Sequence, residues 1–132
     1  MKVTVDTNVL IRAAVRDDKK QAQIAASLLK GADVIAVTLP ALCEFVWVLR
    51  KHYGYAKQDI VAAIQVLLSA KNVQVDRSAV DAGLAVLGAG ADFADAVIAH
   101  QGNWMGGESF VSFDKQAVAV LTKKGVQARL LH

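Results

Sequence analysis

The sequence predicts an α/β protein in which helices pack on a parallel β-sheet. Two short apolar runs, Lys2–Val5 and Val34–Thr38, are rich in β-branched residues and are typical of buried strands in a parallel sheet. A helical segment between them begins at capping-box spacing, with Asp18 followed by Gln21, and ends at Gly31. A strand, a helix and a second strand in this order form the repeating unit of a parallel sheet.

The rest of the chain continues this alternation of strands and helices. It is interrupted by no repeat, low-complexity tract or Ser/Pro linker, so we expect a single domain spanning residues 1–132. The predicted elements are a helix from Pro40 to near Gly54, a helix over 57–70, a strand over 73–75, a helix over 77–87, a helix over 92–101, a strand over 110–113, a helix over 115–124 closed by Gly125, and a strand over 127–131.

Composition limits the class of protein. Hydrophobic residues make up 55% of the 132 residues, but no apolar run reaches the ~18 residues that span a bilayer. The amino terminus lacks the pattern of a secretory signal, and we therefore expect a cytoplasmic protein with no membrane segment. Cys43 is the only cysteine, which excludes an intrachain disulfide and argues against a zinc cage; it is predicted to be a buried free thiol.

The net charge of +3 and the pI near 9.1 weakly favour a nucleic-acid partner. The distribution of the basic residues is more informative, because many of them fall in two stretches. Solvated helix faces would explain either stretch equally well. The two groups are Arg12, Arg16, Lys19 and Lys20, and then Arg50, Lys51, His52 and Lys57.

Four acidic residues lie inside apolar stretches instead of on polar faces. Asp6 and Asp114 each follow a predicted strand, and ligands bind at the carboxyl ends of parallel strands. Glu44 lies in the helical segment ALCEFVWVL, where little water reaches it unless it faces a cleft. Asp95 lies near the start of a helix, one turn from Asp92 on the same face.

Each acid also has a purely structural explanation. Asp6 could form an Asx turn, and Asp114 could cap the last helix. Asp92 could be an N-cap with Asp95 as its capping-box partner, and Glu44 could lie at the surface. These alternatives stay open at the level of the single residue.

Convergence of the acids would require a positive partner. Two carboxylates ~4 Å apart repel by ~4 kcal/mol at an effective dielectric constant near 20, which is a large fraction of the stability of a small domain. A divalent cation is the usual compensation, and an all-oxygen ligand set favours Mg²⁺ or Mn²⁺ over zinc.

The ordered motifs resemble those of PIN-domain ribonucleases, and most closely VapC-type toxins of toxin–antitoxin pairs. These motifs are VDTNVL at the amino terminus, Glu44 early in its helix, DFADAVIA, and SFD before KQAV. The resemblance covers essentially the whole chain. It implies a three-layer α/β/α sandwich with strand order 3-2-1-4-5, which would make Asp6 and Asp114 neighbours.

The resemblance also implies a function, metal-dependent hydrolysis of RNA phosphodiester bonds with one or two Mg²⁺ or Mn²⁺ ions. The implied metal-binding and catalytic acids are Asp6, Glu44, Asp95 and Asp114. Asp92 has a supporting role, as do the hydrogen-bonding positions Thr7, Asn8 and Ser112, the last standing where threonine is commoner. Contacts to RNA phosphates are expected from Arg12, Arg16, Arg50, Lys51 or Lys115.

Two partners follow from the resemblance, a second copy in a homodimer and a cognate antitoxin that inserts an arginine-bearing segment near the acidic pocket. Trp47 and Val48 could form an exposed patch for association, or they could pack in the core. A noncatalytic RNA-binding or protein-assembly module on the same fold is the alternative function. A receiver domain would need further paired acids and a late lysine. A haloacid-dehalogenase-like phosphatase would need an aspartate where Asn8 stands.

Overall fold

The computed structural model describes all 132 residues and confirms the α/β class. The strands are β1 (Lys2–Thr4), β2 (Val34–Ala36), β3 (Val73–Gln74), β4 (Phe110–Ser112) and β5 (Ala128–Leu130). The helices are α1 (Thr7–Val15), α2 (Lys19–Gly31), α3 (Leu39–Lys51), α4 (Lys57–Ser69), α5 (Arg77–Val86), α6 (Phe93–Trp104) and α7 (Lys115–Lys123). None of the helices is both long enough and apolar enough to cross a membrane.

The chain folds as two compact units, Met1–Asp76 and Arg77–His132. The first unit contains a parallel sheet in the order β1-β2-β3, with Val3 opposite Ile35 and Ile35 opposite Val73. The second unit contains the parallel pair β4 and β5. These two runs match the corresponding parts of the predicted order 3-2-1-4-5. The adjacency of β1 and β4, and the single domain, stay predictions.

Helix α3 shows how the first unit forms its core. Pro40 lies in its first turn, where a missing amide hydrogen costs nothing, and Thr38 caps it by accepting from the Ala41 amide at 3.4 Å. Its apolar stripe, which has the spacing of one helix face, is buried. The stripe consists of Leu42, Phe45, Val46 and Leu49.

The second unit has its own hydrophobic core, in which α7 packs against α5, α6 and one side of the β4–β5 pair. Val86, Ala91, Ala96, Val120 and Leu121 form the buried cluster. Phe110 and Ala128 contact it from the strands. Because alternate residues of a strand point to opposite faces, Phe110 and Ala128 face this core, whereas the residue that follows each of them faces away from it.

Helix α1 is absent from the elements predicted above. Its segment, TNVLIRAAV, starts only two residues after β1, and its short apolar run over residues 9–11 does not by itself distinguish a helix from a strand. The helical signal is nevertheless present, because the buried residues Thr7, Leu10 and Ile11 have the spacing of one helix face. The helix also ends without glycine, since Arg16 itself adopts the left-handed conformation with φ 61°.

Candidate metal centre

Asp6 and Glu44 line one cleft of about 410 Å³ in the first unit. Asp6 lies two residues beyond β1, and Glu44 lies in the second turn of α3. Both side chains are exposed to solvent, so Glu44 faces a cleft as the sequence suggested and is not buried among its apolar neighbours. Glu44 accepts no hydrogen bond and forms no ion pair within the chain.

The starts of α1 and α3 are tied together around this cleft. The buried Thr7 donates from its Oγ1 to the Ala41 carbonyl oxygen at 3.4 Å. Asp6 is the N-cap of α1 and accepts from the Thr7 amide at 2.7 Å. The Asp6 carboxylate is thus held at the amino end of α1, where the helix dipole favours negative charge, and the Glu44 carboxylate lies one turn into α3 on the same cleft.

Asp114 holds the equivalent position in the second unit, between β4 and α7. Its Oδ1 accepts from the amides of Gln116 and Ala117, each at 3.0 Å, so it is the N-cap of α7. The Asp114 amide donates to Ser112 Oγ at 3.0 Å. The cap expected as an alternative role for Asp114 is therefore present, and the predicted supporting hydroxyl of Ser112 fixes the same turn.

Asp95 is half-buried in the first turn of α6, beside two other acids of the second unit. Burial raises the pKa of Asp95, and the negative charges of Asp92 and Asp114 raise it further. A hydrogen bond from the Asp92 backbone opposes this shift, as expected for a residue three positions after the N-cap. The Asp92 carboxylate itself makes no capping hydrogen bond. A bound cation would offset this cost of ionising Asp95.

Gly90 brings the loop before α6 against the start of α7. It has φ +104°, and a Cβ at this position would overlap the side chain of Gln116. Asp95 and Asp114 lie near these two segments, and the charge of Asp114 raises the pKa of Asp95. The sequence offers only a Gly-rich stretch as a sign of this close approach.

The chemistry of these donors fits a hard divalent cation. All four predicted ligands are carboxylates, and none of them forms a salt bridge with a lysine or arginine of the chain. Oxygen donors without a competing protein cation suit Mg²⁺ or Mn²⁺. Within neither unit do three such side chains form a group that could hold a metal ion on its own.

The five predicted RNA-binding residues differ in their surroundings. Arg12 is engaged within the first unit: its Nε donates to Gln21 at 2.7 Å and its Nη1 forms an ion pair with Asp17 at 3.2 Å. Tyr53 joins this network by donating to Asp17 at 3.2 Å. The other four are exposed, namely Arg16, Arg50, Lys51 and Lys115.

Three further predictions concern single residues near the acids. Trp47 is 58% exposed, so the core-packing alternative is wrong for this residue. Cys43 is a free thiol as predicted, but it is only half-buried, and burial raises its pKa. Asn8 is exposed and forms no hydrogen bond within the chain through its side chain.

Acids at the carboxyl ends of parallel strands and the amino ends of helices define an α/β protein with a candidate carboxylate metal site. The chain matches the PIN domain family over residues 3–121 and belongs to that family. PIN domains are generally nucleases, and they usually use divalent metal ions. No curated protein matches the chain.

Two features of the structure were not found from the sequence. The network of Arg12, Asp17 and Tyr53 joins residues up to 41 positions apart, and no local pattern indicates it. Phe113 is 76% exposed directly before Asp114, because β4 ends at Ser112, whereas the sequence placed Phe113 inside the predicted strand over 110–113. Its position in the SFD motif was the available signal.

Proposed function

We propose that this protein is a metal-dependent ribonuclease that hydrolyses RNA phosphodiester bonds. The observation that carries the proposal is the match to the PIN domain family over residues 3–121, a range that includes all four acids. The absence of lysine or arginine partners for these acids supports it, because carboxylates that form no salt bridge within the chain are available to a metal ion.

Asp6, Glu44, Asp95 and Asp114 are the proposed ligands. A bound Mg²⁺ or Mn²⁺ ion would lower the pKa of water and neutralise charge on the phosphate. The remaining contributions come from the chain itself. Asp6 and Asp114 are held by amide hydrogen bonds at the starts of α1 and α7, so their orientation requires no reorganisation when a substrate binds.

Asp95 contributes through its raised pKa. A carboxylate whose ionisation is disfavoured by burial and by Asp92 binds a cation and a proton in competition. The site is therefore expected to lose its metal ion as the pH falls, and Asp92 supports the site by adding negative charge. Thr7 and Ser112 hold the backbone on which Asp6 and Asp114 stand.

The exposed cations Arg16, Lys51 and Lys115 are the proposed contacts to RNA phosphates, with Arg50 and Arg12 as further members of the set. Such contacts position the substrate and carry little sequence information. Arg12 would act with less freedom than the others, because Asp17 and Gln21 already hold its guanidinium group.

The test is cleavage of labelled tRNA and rRNA fragments by the purified protein with Mg²⁺, Mn²⁺ or EDTA. Asp6→Asn and Asp95→Asn each replace a proposed ligand with a neutral side chain of the same shape, and both are expected to abolish cleavage. Asp81→Asn, an exposed acid on α5, is the matched control and should cleave normally. Cleavage that persists in EDTA or in both ligand variants would contradict the metal-dependent mechanism.

We further propose that the protein is the toxin of a VapBC-type toxin–antitoxin pair, acting as a homodimer in the cytoplasm and inhibited by its antitoxin. The exposed Trp47, one turn from Glu44 on α3, supports an apolar contact beside the acids. Induced expression of the wild type should arrest growth, whereas Asp6→Asn should not. Sedimentation velocity measures the dimer, and Trp47→Ser is expected to weaken whichever assembly uses this patch.

A noncatalytic RNA-binding or assembly module is the competing function, and the same variants separate it. Such a module would keep its activity in Asp6→Asn, since it has no need of four acids.

A further inference from the structure

We infer that Phe113 is a base-stacking platform that holds an unpaired base of single-stranded RNA beside Asp114. The inference rests on the proposed ribonuclease function and names a residue that would position its substrate. Phe113 lies between the two residues that fix the turn, Ser112 and Asp114, and its ring is 76% exposed. It makes no contact with another ring of the chain.

The backbone that carries the ring is held firmly. The Asp114 amide donates to Ser112 Oγ, and Asp114 Oδ1 accepts two amide hydrogen bonds from the first turn of α7. The first bond spans Phe113, and the other two fix the acid that follows it. A rigid aromatic side chain loses little conformational entropy when a base stacks on it.

The neighbours of the ring suit a polynucleotide. Val111, which is 47% exposed, lies two residues earlier in β4, and Arg129 is its register partner on β5. Lys115 is exposed directly after Asp114. An apolar ring with cations on the adjacent strand and the following helix offers stacking for a base and counter-charges for phosphates on either side of it.

Single-stranded RNA is the class that this arrangement favours. In duplex RNA the faces of the bases are already stacked, and the deep groove hides their edges, so an exposed ring finds no free base. Stacking on a ring is tolerant of sequence because every base has a π-face. The inference therefore predicts a preference for unpaired RNA without a strong preference for one base.

Binding in EDTA, where no metal-dependent cleavage takes place, tests the inference directly. The probe is a fluorescein-labelled unstructured RNA about 12 nucleotides long, measured by fluorescence anisotropy beside a duplex of the same sequence. Phe113→Leu keeps an apolar side chain but removes the ring, and it is expected to weaken single-strand binding by at least about fivefold. Phe113→Tyr and Phe113→Trp should stay within about twofold of the wild type.

Trp104→Leu is the matched control. Trp104 is 79% exposed and lies in the same unit. It is the last residue of α6, before β4, whereas Phe113 comes directly after β4. Its substitution should leave RNA binding unchanged. All variants should unfold at the wild-type temperature, because the substituted side chains are exposed. Duplex binding should be the same for Phe113→Leu as for the wild type.

The results separate this inference from the ribonuclease proposal. Suppose that the wild type cleaves RNA with Mg²⁺ and that Phe113→Leu binds single strands as tightly as the wild type. Only the stacking role is then wrong. If Phe113→Leu loses affinity but the wild type never cleaves, the stacking role holds and the catalytic proposal is wrong. A wild type that does not bind single strands overturns the inference. So does a Phe113→Leu variant that changes only the sedimentation coefficient, because the ring would then contact a second copy.

Discussion

At the scale of the residue, the acids of this protein serve the fold as well as the proposed chemistry. Asp6 and Asp114 are N-caps, and Asp95 accepts a hydrogen bond from the amide of the N-cap residue of α6. Local sequence was sufficient to suggest the capping roles at the starts of α6 and α7, but for Asp6 it suggested only an Asx turn, because α1 was not predicted. It was insufficient to place Glu44 in the same cleft as Asp6, because that requires the pairing of β1 with β2 and the Thr7–Ala41 hydrogen bond.

The two roles of Asp114 can be separated by a pair of substitutions. Asparagine is as good an N-cap as aspartate, so Asp114→Asn should unfold at nearly the wild-type urea concentration while losing cleavage. Asp114→Ala should lose cleavage and also about 1 kcal/mol of stability, because the Gln116 and Ala117 amides lose their acceptor. Urea unfolding and the RNA cleavage assay provide the two measurements. Equal stability of the two variants would show that the cap contributes nothing.

Asp95 is expected to make stability depend on pH and on metal ions. Its pKa in the folded chain is raised, mainly by burial, so the ionised form is disfavoured there. This cost is fully present above the raised pKa and vanishes as the pH falls below about 3.9, the ordinary value in an unfolded chain. In EDTA at pH 7, Asp95→Asn should therefore be more stable than the wild type, by under about 1 kcal/mol, and should lose this advantage near pH 3.

In Mg²⁺, the wild type should instead be more stable than Asp95→Asn. An ion bound only by the folded chain stabilises the wild type by mass action, and the variant lacks one ligand. Asp81→Asn controls for the general loss of a negative charge. An Asp95→Asn variant that is destabilised to the same extent at pH 7 and pH 3 would contradict this explanation, because an uncharged effect does not follow the titration.

At the scale of the element, the patterns that repeat over several residues were predicted well, and the transitions were predicted poorly. Strands β1 and β2 lie where β-branched runs occur, and β4 lies within its predicted segment; each strand is somewhat shorter than predicted. Helix α1 was missed because it follows β1 after two residues and because Arg16 ends it where glycine was the expected signal. A single residue that adopts the left-handed conformation without being glycine leaves no trace in composition.

Two glycines in helices provide a matched test of packing in the second unit. Gly83 is buried in α5, and a Cβ there would overlap the ring of Phe93 on α6, which is itself fully buried. Gly102 lies in α6 with open space around the same position. Gly102→Ala should stabilise the protein by about 0.5–1 kcal/mol through helix propensity alone. Gly83→Ala should destabilise it by about 1–3 kcal/mol, because overpacking outweighs the same gain.

Thermal or urea unfolding measures both glycine variants on one scale. Stabilisation by both alanines would mean that α5 and α6 pack less closely than the ring of Phe93 indicates.

At the scale of the whole molecule, the net charge is small, but the acids proposed as metal ligands are not paired with basic side chains. Fifteen basic and 12 acidic residues leave a charge of +3, yet the four proposed ligands have no lysine or arginine partner. Cations that are not neutralised within the chain are available to phosphates. Which cations these are could not be read from the sequence, because the pairing of Arg12 with Asp17 and Gln21 depends on how α1, α2 and the loop between them fold.

The salt dependence of RNA binding should distinguish free from engaged cations. For single-stranded RNA, each phosphate contact adds about 0.7 to the slope of log affinity against log salt concentration. Lys115 forms no ion pair within the chain, so Lys115→Met should reduce the magnitude of this slope by about that amount. Arg12→Met should reduce the slope by less than Lys115→Met does, because Asp17 and Gln21 already hold its guanidinium group. It should also lower the unfolding temperature, because Asp17, Gln21 and Tyr53 lose their common partner. Equal reductions of the slope in both variants would mean that RNA displaces Asp17 and recruits Arg12.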